Sequence, residues 1–242
     1  MSDKELTVIG HLEEFRKRLI ISLVALVIGI CCCFPFAGQL LKILKLPAAG
    51  LIPKLVYFSP QDAFIIYFNI ALIGGTLIAS PVIIYQLWAF IAPAVEERFK
   101  KYAFVFVIIV LIAFISGVFF AYFFLVPAAL KFLLSIGQDQ LEPVISAGKY
   151  VSFVLTLLVC TGAVFEMPVL SFILSRIGIV NHGFLRKKFK YSVLLILIAA
   201  AIITPTPDVF NMMLLAIPMI LLYEISIWVS FFAAPRKAGR GK

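Results

Sequence analysis

Long apolar stretches alternate with short charged ones along this chain. Uncharged runs occupy residues 19–39, 63–95, 102–130, 150–175 (broken only by Glu166), 191–207 and 209–223. A helix rises about 1.5 Å per residue and the hydrocarbon core of a bilayer is about 30 Å thick, so roughly 20 residues cross it. The pattern predicts an all-α polytopic membrane protein with six transmembrane helices, at about 19–37, 64–92, 102–130, 150–175, 189–204 and 209–224. A cytoplasmic segment, 1–18, precedes them, and a cytoplasmic tail, 233–242, follows. No internal repeat, low-complexity segment or long linker divides the sequence, so a single transmembrane helical domain is expected over 1–242.

The runs are unequal. The third, with 29 uncharged residues, is long enough to tilt or project beyond a bilayer. The fifth and sixth have 17 and 15, and only "TPTPD" joins them, so helices five and six should be short and thin the membrane locally. Pro81, Pro127, Pro168 and Pro218 fall inside four of the runs, where each removes a backbone donor and favours a kink. Bent helices predict a curved bundle. Residues 41–61 carry three prolines and mixed polarity, which suits a short outer cap. Trp88 and Trp228 lie near helix ends, where tryptophan anchors a chain at the membrane surface.

Charge orients this arrangement. With the amino terminus inside, 16 of the 21 Lys and Arg fall on the cytoplasmic side, which predicts both termini in the cytoplasm. The first run follows Arg16, Lys17 and Arg18 as a signal peptide would, but its length and the lack of a small-x-small cleavage pattern favour a retained anchor. The net charge of +9 follows the topology, so contact with anionic membrane lipid accounts for it and no nucleic acid partner is implied. Composition agrees: 63% of residues are hydrophobic and 14% charged.

Catalytic chemistry finds no foothold. Both histidines, His11 and His182, lie outside the apolar runs, no P-loop is present, and no run carries a Ser/His, HExxH or paired-aspartate pattern. Cys31, Cys32, Cys33 and Cys160 suit neither a disulfide framework nor a zinc site. The chain is therefore read as a non-enzyme without cofactor or metal.

The carboxylates remain. Glu13, Glu14, Glu96 and Glu97 each precede a base by four residues: Lys17, Arg18, Lys100 and Lys101. Such pairs stabilise a helix surface by about 0.2–0.5 kcal/mol each. The other reading is an anionic patch within a basic face, which would select a ligand bearing guanidinium groups. Glu166 sits two thirds of the way through its run, where a carboxyl is costly unless paired, protonated or wetted, and is a functional position by default. Glu224 falls close enough to a helix end to be interfacial.

Five ordered segments carry a family resemblance: "HLEEFRKRL" (11–19), "SPVIIYQLWAFIAP" (80–93), "FAYFFLVP" (120–127), "FEMPV" (165–169) and "TPTPDVF" (204–210). They resemble the successive motifs of TatC, the multispanning receptor subunit of the twin-arginine protein translocase, over nearly the whole chain. The resemblance implies a receptor at the cell inner membrane that captures Arg-Arg signal peptides of folded precursors. It also implies self-association, recruitment of single-span Tat partner subunits and export driven by the proton-motive force. It places Glu14 in signal-peptide binding, with Glu13 at a variable position. A two-residue gap brings Glu97 to the second acidic position, with Glu96 as the alternate. It further puts Phe90 in the signal-peptide site and marks Glu166, Pro47, Tyr122 and Asp208 as sensitive. Thr206 between the two prolines departs from the adjacent prolines of many relatives. Thr204, Thr206 and Asn211, on the edge expected to be thin, offer hydrogen-bonding groups for partner docking. The rival readings are a proton-coupled solute transporter using Glu166, which would commonly show repeats, and a structural scaffold.

Overall fold

The computed structural model describes residues 3–52, 54–91, 103–136, 143–204, 206 and 208–233. These are almost wholly helical, as the apolar runs require of a chain whose backbone groups find no water in lipid. Packing sorts them into two compact units. One takes the described residues up to Leu44 together with those of Tyr57–Leu111; the other takes those of Lys45–Val56 and the described residues from Ile112 onward.

In the first unit, helix α1 (Asp3–Cys33) runs without a break from the charged segment into the apolar one. Pro35 interrupts it with a 3-10 turn at Phe34–Phe36, and α2 (Ala37–Lys45) follows. Helix α3 (Pro60–Ile91) packs against α1. The two backbones meet at Gly29 and Gly75, where a Cβ added to Gly75 would lie 2.5 Å from the Ile30 nitrogen. Only glycine permits that approach, and small residues at a crossing are how membrane helices gain packing without a hydrophobic driving force. Asp62 opens α3 by accepting hydrogen bonds from the Phe58 and Ser59 amides, both 3.1 Å.

The third apolar run forms α4 (Ala103–Phe120), a π-helical turn (Ala121–Leu125) and α5 (Val126–Ser135). The wide turn ends two residues before Pro127, whose ring cannot sit against an ordinary α-helical carbonyl four residues back. In the second unit a two-residue parallel ladder joins β1 (Leu55–Val56) to β2 (Ile145–Ser146), and the 3-10 turn Leu46–Ala48 rests on α5. The fourth run breaks at Glu166 into α6 (Ala147–Phe165) and α7 (Met167–Ile177), with Pro168 in the first turn of α7. Pro81 and Pro218, by contrast, lie inside unbroken helices.

Helix α8 (His182–Lys187) is capped by Asn181, whose side chain accepts from the Phe184 amide at 2.8 Å. Helix α9 (Phe189–Ile203) is short, with 15 residues, as its uncharged run suggests. Helix α10 (Val209–Ala233) is not. Its 25 residues extend well past Glu224, which corrects the expectation of a short sixth helix ending near 224. Glutamate is a good helix former, so its charge does not end the helix, and Arg186 pairs with it there.

Small hydroxyl residues fasten α7 to α10. The Ser171 hydroxyl donates to the Ser226 carbonyl at 2.9 Å, and one turn on the Ser175 and Ser230 hydroxyls share a bond of 2.6 Å. All four residues are buried.

Candidate functional site

In the first unit the amino-terminal carboxylate is held by its own helix and by a neighbour. Glu14 Oε1 accepts from Arg18 Nε at 3.0 Å and from Nη2 at 2.5 Å, the four-residue pair that spacing suggested. Arg18 also donates from Nη1 to Gln86 of α3 at 3.2 Å, so the pair is tethered between helices. Beside it the Phe15 and Phe90 rings meet at 5.4 Å. Glu14 and Arg18 are both half-buried, so Glu14 is a positioned acid with an open side. Sequence reasoning does not reach Gln86, although a glutamine within an apolar run was the available signal. Glu96 and Glu97 lie outside the described residues.

Trp88 does not anchor the chain at a membrane surface. It is 6% exposed and stacks on Phe106 at 4.2 Å, because its position on α3 faces a neighbour rather than lipid.

In the second unit Glu166 occupies the joint between α6 and α7. Its amide donates to the Ala163 carbonyl at 3.2 Å, and its carbonyl accepts from the Leu170 amide at 2.9 Å. The carboxyl Oε1 is buried and has no hydrogen-bond partner among the described residues. Close packing surrounds the joint. A Cβ added to Gly117 of α4 would lie 2.8 Å from the Gly162 Cα and 2.9 Å from the Phe165 ring. Tyr122 lies in the π turn, with its ring edge-on to Phe123 at 4.9 Å, and Pro47 sits half-buried in the 3-10 turn resting on α5.

Asp208 caps α10. Its Oδ1 accepts from the Asn211 amide at 2.7 Å and its Oδ2 from the Asn211 side chain at 2.9 Å; that same side-chain nitrogen reaches Thr206 at 3.1 Å. Burial opposes the charged carboxylate. The Asn211 amide, the Thr206 hydroxyl, the Asn211 side chain and the Phe210 amide outweigh it and hold the pKa below the ordinary aspartate value. Thr204 hydrogen-bonds the Ala200 carbonyl at 2.8 Å. Thr204 and Asn211 are buried, the latter 4% exposed, and Thr206 is half-buried. A small crevice lined by Thr204, Thr206, Asn211, Leu125, Phe153 and Leu215 remains between them.

In the second half of α10 the Glu224 carboxylate pairs with the Arg186 guanidinium. The Tyr223 hydroxyl donates to the Leu185 carbonyl at 3.0 Å, locking α8 onto α10. No group of three or more metal-ligating side chains occurs among the described residues.

Comparisons with known proteins converge. The family model described as Sec-independent protein translocase protein (TatC) matches residues 10–218. The TatC protein of Carboxydothermus hydrogenoformans is 40% identical over 98% of this chain and 98% of its own. The TatC of Aquifex aeolicus is 41% identical over 94% of this chain and 95% of its own. Among solved structures, a twin-arginine translocase receptor TatC superposes with a TM-score of 0.83 at 40% identity, covering 92% of this chain and 99% of that one. Nothing in these matches supports a solute transporter. On sequence and structure alike, the chain belongs to the TatC family of Sec-independent protein translocase proteins.

Proposed function

We propose that this chain is the twin-arginine signal-peptide receptor of its translocase, working by binding rather than by catalytic chemistry, with six membrane crossings and both termini in the cytoplasm. The observation that carries the proposal is Glu14, a half-exposed carboxylate fixed by Arg18 and, through it, by Gln86. An ionised carboxylate offers about four acceptor positions, so a fixed Glu14 can accept a second guanidinium without releasing Arg18. Arginine's planar fork matches a carboxylate in two parallel bonds, whereas lysine presents a point charge, so Arg-Arg is favoured over Lys-Lys. Glu97, or Glu96 beside it, supplies the second carboxylate, within about six residues of the end of α3. Phe90 and Phe15 give an apolar flank.

Glu166 serves as the intramembrane group that responds to the proton-motive force, and its buried oxygen lacking a partner among the described residues supports that reading. Single-span Tat subunits dock near α9 and the start of α10, where Ile202, Val209 and Phe210 are exposed around the Thr204–Asn211 cluster. The complete complex lies in the inner membrane and contains more than one copy of this chain.

The test is photo-crosslinking of an Arg-Arg or Lys-Lys signal peptide to the purified full chain in a lipid bilayer. One charge-assisted contact is worth about 1.5–3 kcal/mol, so Arg-Arg labelling should exceed Lys-Lys about tenfold or more, and Glu14→Gln should remove most of that difference. Equal labelling of both peptides, unchanged in Glu14→Gln, overturns the proposal.

A further inference from the structure

Helices α8 and α10 enclose a groove of about 180 Å³ that plays no part in the proposed signal-peptide site. Its rim is charged and its wall apolar. Arg186 and Glu224 form the ion pair on one side, His182 lies next to them, and Ile227, Trp228 and Phe231 line the remainder. Leu221, Ile225, Trp228 and Phe232 are exposed along the same helix, Trp228 at 59% and Phe232 at 74%, as residues that face lipid are. A tryptophan with its ring toward lipid beside a solvated ion pair marks the depth of the phospholipid headgroups.

We infer that this groove is a binding site for a phospholipid whose headgroup carries a primary ammonium beside its phosphate. Charge complementarity is the reason. A guanidinium and a carboxylate held side by side form a dipole that matches the phosphate and ammonium of a zwitterionic headgroup. Arg186 has donors beyond Nη1, the one directed at Glu224, and these can bind phosphate oxygens. Glu224 can accept hydrogen bonds from an ammonium but not from a quaternary trimethylammonium, which has no N–H to give. A headgroup with net negative charge gains Arg186 but meets Glu224. An acyl chain continues along Ile227, Trp228 and Phe231.

The test uses tryptophan fluorescence of the full chain reconstituted in phosphatidylcholine bilayers, with dibrominated phospholipids as contact quenchers. Trp88 and Trp228 are the only tryptophans, so a Trp228→Phe protein supplies the Trp88 background. Dibrominated phosphatidylethanolamine should quench Trp228 with a relative affinity about threefold above dibrominated phosphatidylcholine, the scale of a partly exposed charged contact. Glu224→Gln should abolish that preference, with the lipid still reaching Trp228 at the phosphatidylcholine level, whereas Arg186→Gln should weaken quenching by both lipids alike, since the phosphate is common to them. Equal quenching by the two lipids overturns the inference, as does a preference that survives Glu224→Gln. A stronger preference for phosphatidylglycerol, enhanced by Glu224→Gln, identifies an anionic-lipid site instead and also overturns it. Absence of quenching by every lipid places a protein segment over the groove and likewise overturns it.

Discussion

At the scale of single residues, several charges of this protein hold helix ends and joints. Asp208 is the clearest case, since it holds the first turn of α10 through Asn211 while Asn211 holds Thr206. Loss of such a cap usually costs about 1 kcal/mol, so Asp208→Ala should lower the thermal midpoint of the purified protein at neutral pH by a few degrees. The sign of the pH dependence follows from the depressed pKa. The stabilising contribution is complete above the ordinary aspartate value, about 3.9, and is lost as pH falls through the lower folded value. The gap between native and Asp208→Ala proteins should therefore narrow below about pH 4, as measured by denaturation midpoints across pH.

Elements are joined by backbone proximity and by small hydroxyls. Gly75→Ala places a methyl group 2.5 Å from the Ile30 nitrogen of α1, so the helices must separate. Overpacking of this kind costs about 1–3 kcal/mol, and detergent unfolding should register it. Gly10→Ala, with nothing within 4 Å, is the control and should be neutral or slightly stabilising. The serine seam between α7 and α10 suits a double-mutant cycle. Ser175→Ala and Ser230→Ala each leave a buried hydroxyl without its partner, so each alone should destabilise. The double variant should cost about 0.6 kcal/mol less than the two singles added together, the usual worth of such a bond in a membrane protein.

For the molecule as a whole, the helical content and the ordered motifs are legible in the sequence because lipid demands long apolar runs and leaves few alternatives. The break in the fourth run is legible too, as Pro168 follows Glu166 closely enough to limit the helix there. The sixth helix reads too short because run length counts Glu224 as an end, while a glutamate continues a helix readily. Trp88 misleads for a related reason: position along a helix does not say which face it occupies. The Ser171, Ser175, Ser226 and Ser230 seam is written in the sequence as two four-residue spacings, but nothing local says that they face each other. Of the proposed acidic pair, Glu14 announces itself by its spacing to Arg18, whereas its tether to Gln86 depends on tertiary packing and has no local signature.

One consequence follows from the unbroken course of α1. Glu14 and Gly29 stand fifteen residues apart on a single helical rod, about 22 Å by its rise. No side chain separates the backbones where Gly29 meets Gly75. The first helix thus sets the charged end and the Gly29–Gly75 crossing in one fixed relation, so a bulkier residue at the crossing would shift Glu14 as well as α3.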